Sequence, residues 1–216
     1  MTLVAVSDDR VSAGRDALWW RWFVTVTVGE FLGFAVPATI AALTVHADAP
    51  VNAVALLVAG TVEGIVLGSF QAYVLRMVFT GLRPAAWVDA TAAGALVAWS
   101  MGVVPILTDG FAGWPVLLMA PVVTVGGIVL LSSIGVAQWV VLRAHADGAT
   151  RWIWATAVAW LAGLAVFTAF TTPLWQPGQD TAAVVAIGIV GGVLMAASMA
   201  AVTGWFLVRL VSARTR

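Results

Sequence analysis

The sequence predicts an all-α membrane protein: six transmembrane helices arranged as three tandem helical hairpins, a pseudo-threefold bundle with both termini cytoplasmic. Three observations predict it. Of 216 residues, 62% are hydrophobic and 9% are charged. That is too apolar for a soluble domain of this length, but it suits helices of about 20 apolar residues facing lipid. All ten basic residues are arginines, and they fall on one side of a six-span pattern. Similar segments recur at a period of about 65 residues, a spacing that marks tandem structural units.

Residues 1–21 read as a cytoplasmic tail or interfacial helix, and no cleaved signal peptide is expected there. The transmembrane domain covers 22–210, with hairpins 22–79, 86–142 and 152–210. Its spans are 22–45, 51–79, 86–107, 115–142, 152–172 and 181–210, and residues 211–216 form a second cytoplasmic tail. Each span is expected to be helical, because backbone polar groups in hydrocarbon need internal partners. Arg10, Arg15 and Arg21 precede span one, Arg76 and Arg83 follow span two, Arg143 and Arg151 follow span four, and Arg209, Arg214 and Arg216 close the chain. The other three loops hold Asp48, Asp109 and Asp180 and no arginine. Arginine-rich loops stay cytoplasmic, which sets the orientation.

Prolines 50, 115, 173 and 177 sit at outer helix ends, where a missing N–H is tolerated. Pro37, Pro105 and Pro121 lie within or near span ends and are expected to kink them. Trp19, Trp20, Trp22, Trp87, Trp152 and Trp154 read as an interfacial belt on the arginine side, with Trp114 and Trp175 opposite. Trp99 and Trp160 fall well inside their spans, so the belt does not account for them.

The repeat is legible in the residues. Span two ends GSFQAYVLR (68–76) and span four ends GVAQWVVLR (135–143), while span six ends weakly alike at GWFLVR (204–209). The next helices also match, WVDATAAG (87–94) against WIWATAVA (152–159). The repeats are parallel in topology, so an axis along the membrane normal relates them. Glycines at 60, 64 and 68, at 29 and 33, and at 188 and 192 read as seams for close helix packing, and exposed seams would permit a homo-oligomer. Gln71 and Gln138 lie about 7.5 Å below their arginines at 1.5 Å per residue, and each is placed to clasp a neighbouring helix.

The GxxQWxVLR and WxxAT segments resemble those of a widespread, mostly uncharacterised group of small bacterial multi-pass membrane proteins. The resemblance covers about two-thirds of the chain. It implies the architecture and the bacterial cytoplasmic membrane, and it implies no activity.

Two carboxylates carry the chemical expectation. Glu30 and Glu63 fall roughly 13–20 Å from the arginine anchors, near the midplane. They lie on the two helices of hairpin one, with no arginine or histidine at that depth. A charge there is costly, by about 2.5–3.5 kcal/mol on insertion scales. Desolvation and a like-charged neighbour both favour the neutral acid, so at least one of the two is expected to be protonated. Asp89 is shallower, just inside the arginine-side interface. Aligning Trp22, Trp87 and Trp152 puts Glu30, Ala95 and Trp160 at equivalent positions, where an acid and an indole would line one apolar chamber. Trp99, Phe167 and Phe170 would extend it. Packing glue and lipid-facing aromatics are the plainer alternatives.

Several functions are excluded. With no lysine there is no retinal Schiff base, and without cysteine there is no thiolate chemistry. His46 and His145 lie at opposite faces and cannot share a haem. HExxH and Walker A patterns are absent, Asp8 and Asp9 stand alone, and no serine–histidine pair is available. Zero net charge gives no argument for nucleic acid. No metal or cofactor is expected.

The expectation is a Brønsted-acid enzyme acting on a lipid-soluble substrate, with Glu63, Glu30 and Asp89 as candidate catalytic carboxyls. Trp160, Trp99, Phe167, Phe170, Gln71 and Gln138 are the candidate substrate-binding residues. The parts are similar to those of small integral-membrane terpene cyclases, which implies a prenylated or terpenoid substrate, with membrane lipids as the other partners. The alternatives are a small-molecule or ion transporter or channel, or a structural accessory protein. A chamber open sideways to lipid favours the enzyme, and a path joining both aqueous faces favours transport.

Overall fold

The computed structural model describes the backbone of residues 2–213 and the side chains of residues 13–213. Among the described residues all regular structure is helical: α1 Thr2–Thr44, α2 Ala49–Val78, α3 Pro84–Gly102, α4 Val104–Leu107, α5 Val116–Leu142, α6 Arg151–Thr171 and α7 Thr181–Ala213. A short 3-10 turn, Asp109–Phe111, follows α4. Six segments are long and apolar enough to cross a membrane, α3 and α4 together making the third.

Prolines punctuate the chain as their missing N–H requires. Pro50 lies in the first turn of α2, Pro84 opens α3, and Pro115 precedes α5. Pro37 and Pro121 lie within continuous helices. Before Pro105 the helical ladder is interrupted at one residue: α3 ends at Gly102 and the one-turn α4 resumes at Val104, while Val103 between them keeps right-handed helical φ and ψ. The sequence predicts a separate tail or helix over residues 1–21, yet α1 runs without interruption from Thr2 into the first span. Arg214 and Arg216 lie outside the described residues.

The helices pack in chain order around a ring. α1 meets α2, α2 meets α3, α3 meets α5, α5 meets α6 and α6 meets α7, and α7 returns to α1. Glycines set the close approaches. A Cβ at Gly64 would lie 2.6 Å from Ala95 Cβ, and one at Gly68 would lie 2.9 Å from Thr91 Cβ. Gly60 faces the Trp99 ring, so all three glycines of α2 open onto the neighbouring helix. Gly29 against Phe70 and Gly33 against Glu63 do the same between α1 and α2. Gly192 faces Phe31 and Phe34 of α1, while Gly188 meets just Trp175.

One large apolar cluster gathers the arginine-bearing ends. It joins Trp22, Leu75, Trp87, Leu142, Trp152 and Leu207. At the opposite end Ala53, Leu56 and Val103 form a smaller one. Packing is densest at the arginine end. α5 buries Ile134, Gly135, Gln138 and Leu142 and no described residue before them.

Candidate functional site

Two tiers of side chains occupy the ring's interior. The first is a plug at the arginine end. Trp22, Trp87 and Trp152 are buried, and their rings meet edge to face, with centroids 5.8 Å apart for Trp22 and Trp152 and 6.0 Å for Trp87 and Trp152. Each indole N–H donates to a different helix: Trp22 to Thr203 Oγ1 at 2.9 Å, Trp87 to Gln71 Oε1 at 3.1 Å and Trp152 to Gln138 Oε1 at 2.8 Å. Gln138 Nε2 then donates to Gln71 Oε1 at 2.7 Å and to Thr91 Oγ1 at 3.0 Å. This corrects the reading of these three tryptophans as an interfacial belt. Proximity to arginine in sequence does not tell an inward indole from an outward one. Gln71 and Gln138 each bond across helices, as expected, and also to each other, and neither lines the larger cavity.

In α7 the position equivalent to the glutamines is Gly204. A Cβ there would lie 2.9 Å from Trp22 Cδ1, so Thr203 takes over as acceptor. Thr91, Thr156 and Thr203 escape the sequence reading. A signal for the first two is present, since each stands four residues after a repeated tryptophan. Outside the plug, Arg76, Arg143 and Arg209 lie over Tyr73, Trp139 and Trp205, with centroid distances of 5.0, 5.1 and 3.5 Å.

The second tier is a partly open cavity of about 230 Å³, bounded by Phe34, Glu63, Trp99, Leu130, Trp160 and Leu164. Its walls come from five helices, so it lies inside the ring. Glu63 is 4% exposed, and Trp99 Nε1–H donates to its Oε2 at 2.8 Å. Local sequence builds this pair. Gly60, one turn before Glu63, leaves the space that the Trp99 indole fills, and Gly33 admits the Glu63 backbone with a would-be Cβ 3.2 Å from its carbonyl oxygen. Apart from Glu63, the named walls are aliphatic and aromatic.

Glu30 is 2% exposed and does not share this cavity. It borders a much smaller space with Gln71, Thr156, Trp160 and Thr203. Trp160 lines both spaces. The expected acid and indole therefore do meet on the interior, but Glu63 is the acid in the larger chamber. Ala95 is buried in the Gly64 seam.

The remaining candidates are not brought to the chamber. Asp89 is exposed on α3 and borders neither interior space, because its helix buries Trp87 and Thr91 on another face. Phe167 lies behind the wall, edge to face with Phe34 at 6.0 Å. Phe170 is half-buried and borders neither space. Among the described residues no three His, Asp or Glu side chains are placed to share a metal ion. Comparison with protein-family models, curated proteins and solved structures finds no match for this chain.

Proposed function

We propose that the protein is an integral-membrane enzyme that uses neutral Glu63 as a Brønsted acid on a lipid-soluble olefin or epoxide, as a terpenoid or isoprenoid cyclase does. The single observation that carries this reading is a carboxyl group set in an otherwise apolar cavity between two indoles, with one oxygen already tied to an N–H. The bond from Trp99 occupies Oε2, so the acid proton belongs on Oε1. When that proton leaves, the acceptor becomes charged. Hydrogen bonds to charged groups are worth about 1.5–3 kcal/mol against about 1 for neutral ones. Trp99 thus stabilises Glu63 more after proton transfer than before it, which is the requirement for catalysis.

On this reading an olefin's π bond breaks as its carbon takes the Glu63 proton, or an epoxide's C–O bond breaks as its oxygen takes it. The resulting cation closes onto a second π bond or migrates, and it loses a proton to the Glu63 carboxylate. The net change is isomerisation, and the acid is regenerated. The faces of Trp99 and Trp160 stabilise the cation by about 2 kcal/mol or more when desolvated. Access from the bilayer beside Leu130 fits a hydrophobic substrate, because α5 buries nothing over the turns before Ile134. The indole–glutamine plug weighs against the transporter alternative, since it fills the interior at the arginine end.

The same reading includes three tandem hairpins about a common axis, and the three indole N–H bonds, each joining two neighbouring helices of the ring, support it. Both termini are cytoplasmic on this reading, the membrane is the bacterial cytoplasmic membrane, and the likeness to repeated GxxQWxVLR proteins is structural.

The test is turnover of prenylated olefins and epoxides by purified protein in deuterated buffer. With the protein equilibrated in that buffer beforehand, the first turnover should give an isomer of the substrate carrying the Glu63 deuteron, on carbon for an olefin and on the new hydroxyl for an epoxide. Glu63→Gln keeps the shape and removes the acid, and its turnover should fall about 10²–10⁴-fold. Unchanged product formation by a well-folded Glu63→Gln protein would overturn the acid mechanism.

A further inference from the structure

Glu30 takes no part in the chemistry just described, yet among the described residues it is one of two buried carboxyls in the ring. Its Oε1 is buried and has no hydrogen-bond partner. Burying such a group unpaired costs about 1–3 kcal/mol, and more if it is charged. It borders a space of about 10 Å³, the lower limit for one water molecule. The other polar walls are Gln71, Thr156 and Thr203.

Their hydrogen-bonding capacity decides what the space can hold. The Thr156 hydroxyl donates to Trp152 O at 3.0 Å, and the Thr203 hydroxyl donates to Met199 O at 2.8 Å. Both hydroxyl protons are therefore directed away, and the oxygens offer lone pairs. Thr203 Oγ1 already accepts from Trp22, and Gln71 Oε1 accepts from both Trp87 and Gln138. The threonine oxygens ask for a donor, and the Gln71 Nε2 amide, for which no acceptor is among the described hydrogen bonds, asks for an acceptor. Too few free oxygens remain to replace the hydration shell of a metal cation.

We infer that Glu30 and a single water form a sealed proton site on the bundle interior, linking the carboxylic acid to Thr156 and Thr203 at the base of the plug. The acid donates to the water, and the water donates to the threonine oxygens. Glu63 is the neighbouring titratable group. Trp160 is the one residue that lines both spaces, so on this inference it controls how fast the Glu30 proton exchanges with the outer cavity. This site stands whether or not Glu63 is a catalyst.

Infrared spectroscopy of the full chain in lipid tests the inference without a substrate. Two bands from protonated carboxyls are expected, one lost in Glu30→Gln and the other in Glu63→Gln. On transfer to deuterated buffer the Glu30 band should shift at least about tenfold more slowly, because its exchange needs local opening. Trp160→Ala should remove most of that difference, and Trp160→Phe, which retains an aromatic wall, serves if the alanine variant does not fold. The inference fails if no band is lost in Glu30→Gln or if sodium or potassium abolishes the band. It also fails if wild-type Glu30 exchanges as fast as Glu63.

Discussion

At the scale of single residues, the Glu63–Trp99 pair is held by its surroundings rather than by its own bond. A Cβ at Gly60 would fall on the Trp99 ring, and Gly33 gives the Glu63 backbone its place. The 2.8 Å bond to Oε2 leaves Oε1 as the oxygen for the acid proton. Trp99→Phe keeps an aromatic face and deletes the N–H. Turnover of an accepted substrate should fall about two- to thirtyfold, matching the roughly 0.5–2 kcal/mol by which a hydrogen bond to charge exceeds one to a neutral group. A product-formation assay on variant and parent checks this, and equal rates would show that the bond is packing alone.

Depth makes this pair legible in the sequence. Counting residues from the arginines puts Glu63, Trp99 and Trp160 far from either end, where neither interface nor solvent explains them. Facing is not legible. On an apolar helix in lipid the inward and outward faces have nearly the same composition, so periodicity carries little information. That is why Trp22, Trp87 and Trp152 read as belt residues, and why exposed Asp89 groups with the buried acids. For the same reason Glu30 and Glu63 read as sharing one chamber, whereas Trp160 lines two.

At the scale of elements, the seam between α2 and α3 governs the site, since it carries Glu63 on one side and Trp99 on the other. Gly64→Ala would set two Cβ atoms 2.6 Å apart, and overpacking of this kind costs about 1–3 kcal/mol. Gly126 and Gly127 on α5 have nothing within 4 Å of a would-be Cβ, so alanine there should change stability by no more than about 0.5 kcal/mol. Thermal unfolding in one detergent compares the three variants. Equal melting would mean that the seam is not close-packed. The interruption before Pro105 belongs to this scale too: the proline is legible in the sequence, and the one-residue gap at Val103 lies just before it.

At the scale of the whole molecule, the ring closes because α7 returns to α1. Gly192 lies opposite Phe31, with a would-be Cβ 3.6 Å from the Phe31 ring. The chain has no cysteine of its own, so Phe31→Cys with Gly192→Cys gives an unambiguous pair. A short bifunctional thiol reagent should link them within one chain, seen as a mobility shift at low protein concentration. Links forming just between chains would mean that the ring is open and completed by a second copy. The six spans and their order are legible from arginine placement and hydropathy. Closure is not, because it joins helices with no sequence proximity.

The central claim is that Glu63 is a neutral acid reached from lipid and not from water. A lipid-soluble carbodiimide, which reacts with protonated carboxyls in apolar surroundings, tests it most directly by peptide mass spectrometry on protein in native-like bilayers. The account predicts modification of Glu63 with little at Glu30, and none at Glu63 by a water-soluble carbodiimide. Labelling of Glu63 by the water-soluble reagent, or its failure to react with the lipid-soluble one, would contradict it.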